Sequence, residues 1–388
     1  MRSAARRRRR LVDAIIQAGA VTDPAWADAF RQVPRHVFVP RFFVSDAGGW
    51  AAVDQSDPGW LAAVYSDRVL VTQLDDNPGM WHVARRIGPV RGVATSSSSM
   101  PSIMAIMLDE LSATGGHRVL EVGTGTGYNA ALLCHRLGSA NVSTVDIDAR
   151  LVRKARARLA VCGYYPVCET WDGARGFAEN APYDRILCTC SVSSIPPAWL
   201  EQTVPGGVIV TTLNRPLGAG LVRIVAGRGA TGFGRVLSRD GRFMPLRAHR
   251  LADARRLLAT VSVNGSKPRE TDLPVREVLN PASGFEFFAG LALPQVTPVF
   301  DPACPATTYL LHPDGSWARH EPGEGADHIT QGGPRPLWDL LEGAYADWYA
   351  LGEPTRERFG MTVTAAGQWL WLDEPDGEHK WELTQSAT

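Results

Sequence analysis

Residues 117–137 constrain the fold more tightly than any other stretch of the chain. His117-Arg-Val-Leu-Glu-Val122 reads as a buried strand, Gly123-Thr-Gly-Thr-Gly127 as a turn, and Tyr128 to Leu137 as the helix that follows. A strand that runs through glycines directly into a helix is the first half of a βαβ unit. The alternation continues. Ala140 to Asp146 reads as a second strand, Ala149 to Cys162 as a basic amphipathic helix, and Tyr183 to Thr189 and Gly207 to Thr212 as further strands. Met104 to Leu111 supplies a helix ahead of the first strand. Strands alternating with helices predict an α/β fold with a doubly wound, Rossmann-like parallel sheet.

The remaining chain differs on either side. Residues 1–95 begin helical and then turn irregular, with Asp57-Pro58-Gly59 and Asn77-Pro78-Gly79 as turn signals. From about residue 248 the βαβ alternation stops. His312-Pro-Asp-Gly315 separates two strand-like runs, as does Ala366-Gly367, and between these hairpins Leu337 to Leu351 has helical spacing. We therefore expect three regions: an N-terminal helical, substrate-side segment (1–95), a cofactor-binding core (96–247) and a smaller C-terminal α+β domain (248–388).

Charge narrows the function classes. Forty Lys plus Arg balance forty Asp plus Glu, so a broad electrostatic grip on nucleic acid is not expected. No apolar run is long enough to span a bilayer, so no membrane partner is expected either. The run Arg6 to Arg10 precedes an apolar stretch too short and too mixed for a secretory signal. It reads instead as the solvated face of a helix. The scattered cysteines suit a reduced, cytoplasmic protein. Cys188-Thr-Cys190 has no second pair at zinc spacing, so no metal site is expected.

The glycine turn carries the chemistry. Its glycines let a ligand approach the backbone and the amides at the helix N-terminus. A dinucleotide turn would place a third glycine where this chain has Tyr128. Acids mark three successive strands: Glu121 at the start of the motif, Asp146 where it can take both ribose hydroxyls, and Asp172 where it can meet an adenine edge. Such acids repel a pyrophosphate but suit a cationic sulfonium nucleoside, which points to S-adenosylmethionine. The expected cofactor residues are Glu121, Gly123, Thr124, Gly125, Thr126, Gly127, Tyr128, Asp146, Ile147, Asp172 and Gly173.

Several stretches resemble the protein-L-isoaspartate O-methyltransferase family, and in its order. These are Val33-Pro-Arg-His-Val-Phe-Val-Pro40, Ser96-Ser-Ser-Ser-Met-Pro-Ser102, Val119 to Tyr128, Trp171-Asp-Gly, Ala181-Pro-Tyr-Asp-Arg-Ile186 and Val204-Pro-Gly-Gly207. The resemblance implies that the serine two residues before the proline, Ser99, is catalytic, with Ser98 the neighbouring alternative. Ser99 could equally serve as a helix N-cap ahead of Pro101. A peptide carboxylate is already ionised at pH 7, so such a serine would orient the nucleophile rather than activate it.

Three departures shape the functional expectation. The serine segment is not of the family's usual Ile-Ser-Gln-Pro type, Thr189-Cys-Ser191 replaces small residues after the fourth strand, and the chain continues well past Leu246, where repair enzymes end. Extended relatives accompany ribosomally made peptides, namely lanthipeptides, lasso peptides and graspetides. The leading expectation is thus methylation of an Asp side chain in a constrained precursor peptide, giving an aspartimide and then isoaspartate. The alternative is repair of isoaspartyl residues in damaged proteins. The C-terminal region, with six of the twelve tryptophans, is the candidate for peptide recognition. A nicotinamide oxidoreductase and a non-catalytic peptide-binding protein are the remaining readings.

Overall fold

The structure is a computed structural model that describes residues 2–46, 48–213, 215–250, 254–261, 267–275, 279–280, 283–300 and 306–383. The chain divides into two compact units. The first comprises residues 1–190, 196–211 and 225–230, and the second comprises 191–195, 212–224 and 231–388. Among the described residues no helix is long and apolar enough to cross a membrane. Cys304 lies outside the described residues.

The first unit opens with α1 (Arg2–Gln17), α2 (Pro24–Gln32) and α3 (Arg35–Phe38). Leu11, Val12 and Ile15 of α1 are buried while the basic run of Arg6 to Arg10 stays mostly exposed, as an amphipathic helix requires. Next come β1 (Arg41–Asp46), β2 (Gly49–Asp54), α4 (Trp60–Val64), β3 (Leu70–Leu74), α5 (Met80–Ile87) and β4 (Ala94–Ser98). This stretch, read from sequence as irregular, is a four-stranded sheet in the order β2-β1-β3-β4. Its apolar residues do not alternate cleanly, because Phe43, Val71, Leu74, Trp81, Ala84 and Val90 converge on one small core from strands and helix alike.

The parallel sheet follows α6 (Pro101–Leu111). Its elements are β5 (Val119–Val122), α7 (Tyr128–Leu137), β6 (Val142–Asp146), α8 (Ala149–Val161), β7 (Val167–Thr170), β8 (Tyr183–Val192), α9 (Pro197–Glu201) and β9 (Thr203–Leu213). The spatial order β7-β6-β5-β8-β9 reverses at β5. Leu120 of β5 lies beside Ser143 on one side and Ile186 on the other, both parallel. In such sheets the crevice at the carboxyl ends, where the order reverses, is the place for a ligand. The glycine turn sits at that place.

The second unit is antiparallel. Gly220–Ala226, Gly232–Val236, Phe359–Thr364, Gly367–Leu372 and Lys380–Glu382 are neighbours in that order. Both expected hairpins form, Thr308–Leu311 with Trp317–Glu321 and Phe359–Thr364 with Gly367–Leu372. The helix Leu337–Ala350 buries Trp338, Leu341 and Ala344. Trp317 and Trp338 are core residues, whereas Trp348, Trp369, Trp371 and Trp381 are half-buried.

Candidate functional site

The glycine turn is held from below by a sealed carboxyl group. Glu121 is completely buried. Its oxygens accept from Asn129 Nδ2 of α7 (2.7 Å) and from Thr144 Oγ1 of β6 (2.6 Å). Burial pushes its pKa up to about 7, against the opposing pull of these two hydrogen bonds. Thr124 Oγ1 lies 2.7 Å from Thr144 Oγ1, so one chain of bonds runs from the turn through β6 to Glu121. Glu121 therefore sits beneath the turn and does not line its open side.

The turn needs its glycines. Gly123, Gly125 and Gly127 all have positive φ, at 100°, 50° and 86°. A Cβ at Gly123 would stand 2.8 Å from Thr189 Oγ1 and 2.9 Å from Cys190 Sγ. Thr189 in turn donates to the carbonyl of Gly123 at 2.9 Å. In the sequence Thr189 stands out only as part of a departure; in the structure it clamps the turn against β8. Tyr128 is buried, with its ring packed on Phe30 and Phe38.

The two remaining acids lie at the end of β6 and just beyond the end of β7. Asp146, at the end of β6, accepts from the amides of Gly125 (2.9 Å) and Asp148 (3.0 Å). Asp172 caps a short turn by accepting from the Ala174 amide, and a Cβ on Gly173 would collide with Val122 Cγ1 at 2.3 Å. Ile147 is 44% exposed, an apolar side chain held out next to Asp146. A carboxylate beside an exposed apolar side chain suits a cationic nucleoside and repels a pyrophosphate. The residues present therefore fit S-adenosylmethionine.

The serine segment approaches the same turn. A Cβ on Gly125 would lie 3.5 Å from the carbonyl oxygen of Ser97 and 3.9 Å from Ser96 Oγ. β4 pairs with β3 (Leu70 beside Ser98, Val71 beside Ser97), with a bulge before Gln73. Beyond β4 the segment is fixed by Arg35, which is fully buried. Arg35 Nη1 donates to the carbonyls of Val64 and Ser66 (both 3.0 Å), and Nη2 to those of Arg68 (3.1 Å) and Ser99 (2.9 Å). Its Nε and Nη2 also donate to Ser98 Oγ, each at 3.3 Å. Burial lowers the Arg35 pKa to about 10, so it stays charged at neutral pH. In the sequence Arg35 is one residue of a motif with no evident task. Only its burial and its bonds to five residues 29 to 64 positions away show one.

These contacts separate the two candidate serines. The Ser98 hydroxyl is buried and engaged by Arg35. The Ser99 hydroxyl is half-buried and, among the described residues, makes no hydrogen bond. Ser99 is not a helix N-cap: that position belongs to Met100, with no side-chain cap. Three histidines of this unit are tied up in contacts of their own: His135 lies 3.1 Å from Asp28, His36 meets Tyr65 and His82 meets Arg41.

Comparison with known proteins agrees with this geometry. The family model described as Protein-L-isoaspartate(D-aspartate) O-methyltransferase matches residues 83–230. A protein-L-isoaspartate O-methyltransferase of Xanthobacter autotrophicus is 47% identical over 119 residues, which are 30% of this chain and about half (53%) of that relative. One of Methylorubrum populi is 31% identical over 217 residues, 56% of this chain and 84% of that relative. A solved protein-L-isoaspartate O-methyltransferase, 22% identical, shares the fold with a TM-score of 0.54, over 95% of this chain and all of that one. Motifs, fold and relatives thus agree: the chain belongs to the protein-L-isoaspartate O-methyltransferase family, which uses S-adenosylmethionine.

Proposed function

We propose that this chain is a carboxyl O-methyltransferase that acts on isoaspartyl residues of peptides and proteins. The observation that carries the reading is the Ser99 hydroxyl, free of other bonds on a segment anchored by Arg35 beside the glycine turn. S-adenosylmethionine, when bound, supplies an electrophilic methyl group. Asp146, Ile147, Asp172 and the glycine turn are the residues proposed to hold it, with Glu121 and Tyr128 shaping the turn from below. The acceptor carboxylate is ionised at neutral pH and needs no general base. Ser99 would donate a hydrogen bond to one carboxylate oxygen and leave the other aimed at the methyl group. Rigid placement then provides most of the rate.

Isoaspartyl peptides are the acceptor of choice because the relatives named above carry that activity in their names. The C-terminal extension suggested a constrained ribosomal precursor instead. The fold of the solved relative covers 95% of this chain, however, so length alone does not set this chain apart. The test is methyl transfer to a linear isoaspartyl peptide, to its aspartyl counterpart and to a cyclised aspartyl precursor. Methyl ester on the first and none on the other two is the expected result. Ester on the cyclised aspartyl peptide alone would overturn the proposal in favour of aspartimide formation. We also propose that residues 248–388 contribute to peptide recognition, with the half-buried Trp369 and Trp371 on one face of a strand as its anchors.

A further inference from the structure

Helix α8 carries Arg150, Lys154 and Arg158 at successive four-residue steps, which places three cations along one face. Like charges at this spacing destabilise a helix, so the stripe asks for a counter-charge. Arg150 has one: it lies 3.5 Å from Asp148 and donates to the Asp76 carbonyl. Lys154 feels the Asp148 carboxylate only from a distance, and Arg158 has no such neighbour among the described residues. Among the described residues neither makes an ion pair, and the Arg158 guanidinium only reaches the Thr126 carbonyl at 3.5 Å. A fourth cation, Arg41 of β1, faces them across an open cleft whose rim includes Gly125 and Thr126 of the glycine turn. Arg41 stacks over Trp81, 4.9 Å from the ring centre, and touches His82; among the described residues it makes no ion pair, and Asp54 attracts it only from a distance.

The nearby acids are occupied elsewhere. Asp54 sits opposite Arg41 in the β1–β2 register, but its carboxylate accepts from Ser56. Asp148 accepts from Gln73 and from the amides of Arg150 and Leu151. Partial burial, and then the proximity of Arg41, pull Arg158 down to about 10 and Lys154 below its usual value. Arg158 therefore remains charged at neutral pH. Cations gathered in a partly dry cleft at this cost are balanced when an anion enters.

We propose that Arg41, Lys154 and Arg158 form an anion subsite that takes a second carboxylate of the peptide substrate, from an acidic residue flanking the methylated one. The subsite opens beside the same turn that the serine segment approaches. This inference rests on the peptide carboxyl methylation proposed above. It makes the enzyme selective for acidic sequence contexts.

The test uses the full chain loaded with S-adenosylhomocysteine. Two short isoaspartyl peptides are compared, alike except for two glutamates or two glutamines beside the isoaspartate. The protein should bind the glutamate peptide more tightly. Lys154→Gln should cut that preference about fivefold, the upper end for one exposed charge pair. Lys154→Glu should invert it. Added salt should erase it. Equal affinity for both peptides, an equal loss for both in Lys154→Gln, or no binding of either overturns the subsite. So does a variant that instead weakens S-adenosylhomocysteine binding tenfold, which would assign the cations to the cofactor's own carboxylate. Turnover is followed in parallel. Charge-selective binding without methylation would sink the proposed activity and leave the subsite standing; methylation without charge selectivity would do the reverse.

Discussion

The glycine turn and the serine segment meet in one site but are built by opposite means. The turn is a local construction. Its glycines, its helix and the acids at the ends of β5 and β6 fall within 26 residues, and its closest supports come from strands adjacent in the sheet. The serine segment is a remote construction. It runs from one sheet to the next helix, and what holds it is a single guanidinium 63 and 64 positions earlier in the chain. A local device fails piecemeal when it is mutated, whereas a remote clamp fails all at once.

The largest expected effect tests the clamp. Arg35→Ala leaves the carbonyls of Val64, Ser66, Arg68 and Ser99 without their donor in a buried place, and should cost about 4 kcal/mol in unfolding free energy. Arg35→Lys keeps the charge but loses the fork, and should cost about half of that. Because the clamp serves the serine segment and not the turn, methyl transfer by Arg35→Lys should drop at least tenfold while its affinity for S-adenosylhomocysteine changes less than twofold. Parallel losses in both would erase the distinction between the two regions.

The next effect tests the turn. Glu121 has an ordinary pKa of 4.5 and is held up to about 7 in the fold. The native state therefore keeps a proton that the unfolded chain has released between these values. Stability from this group is fully present below pH 4.5, is lost as pH rises through 7, and is level above that. The loss amounts to about 3 kcal/mol for a shift of this size. Glu121→Gln cannot ionise and should escape it. The difference in unfolding free energy between wild type and Glu121→Gln, followed by denaturant titration from pH 4.5 to 8, should change by that amount. A difference that stays constant would mean that the carboxyl group is not sealed.

The contrast also explains what the sequence made legible. Tyr128–Leu137 and Asp146 were readable because periodicity and turn chemistry are properties of neighbouring residues. Arg35 was not, because a buried arginine in a motif looks the same in sequence as a solvated one. The four-stranded sheet between Arg41 and Ser98 was missed for a related reason. Its core is assembled from β1, β3 and α5 together, so no one strand shows a clean period of two. Within the expected cofactor set, the motif singles out Glu121 but gives no sign that it lies beneath the turn, since burial of a carboxyl group depends on Asn129 and Thr144 from two other elements.

The smallest effect separates adjacent residues. Ser98 and Ser99 are chemically identical, yet Arg35 grips the hydroxyl of the first and only the carbonyl of the second. Removing the Ser98 hydroxyl deletes a buried hydrogen bond to a charged group, and should cost about 1–2 kcal/mol of stability. Removing the Ser99 hydroxyl deletes no bond of the folded protein and should leave stability within about 0.5 kcal/mol. Turnover should follow the opposite order. On the role proposed for it, Ser99→Ala loses a hydrogen bond to the acceptor carboxylate, which corresponds to about tenfold or more in kcat. Ser98→Ala should keep its kcat within a few fold at temperatures where it is folded. Measuring Tm and kcat for the two variants side by side therefore yields a crossed pattern. If both properties fall together in the same variant, the assignment of clamp and orienting roles to neighbouring serines fails, because one residue would then be doing both.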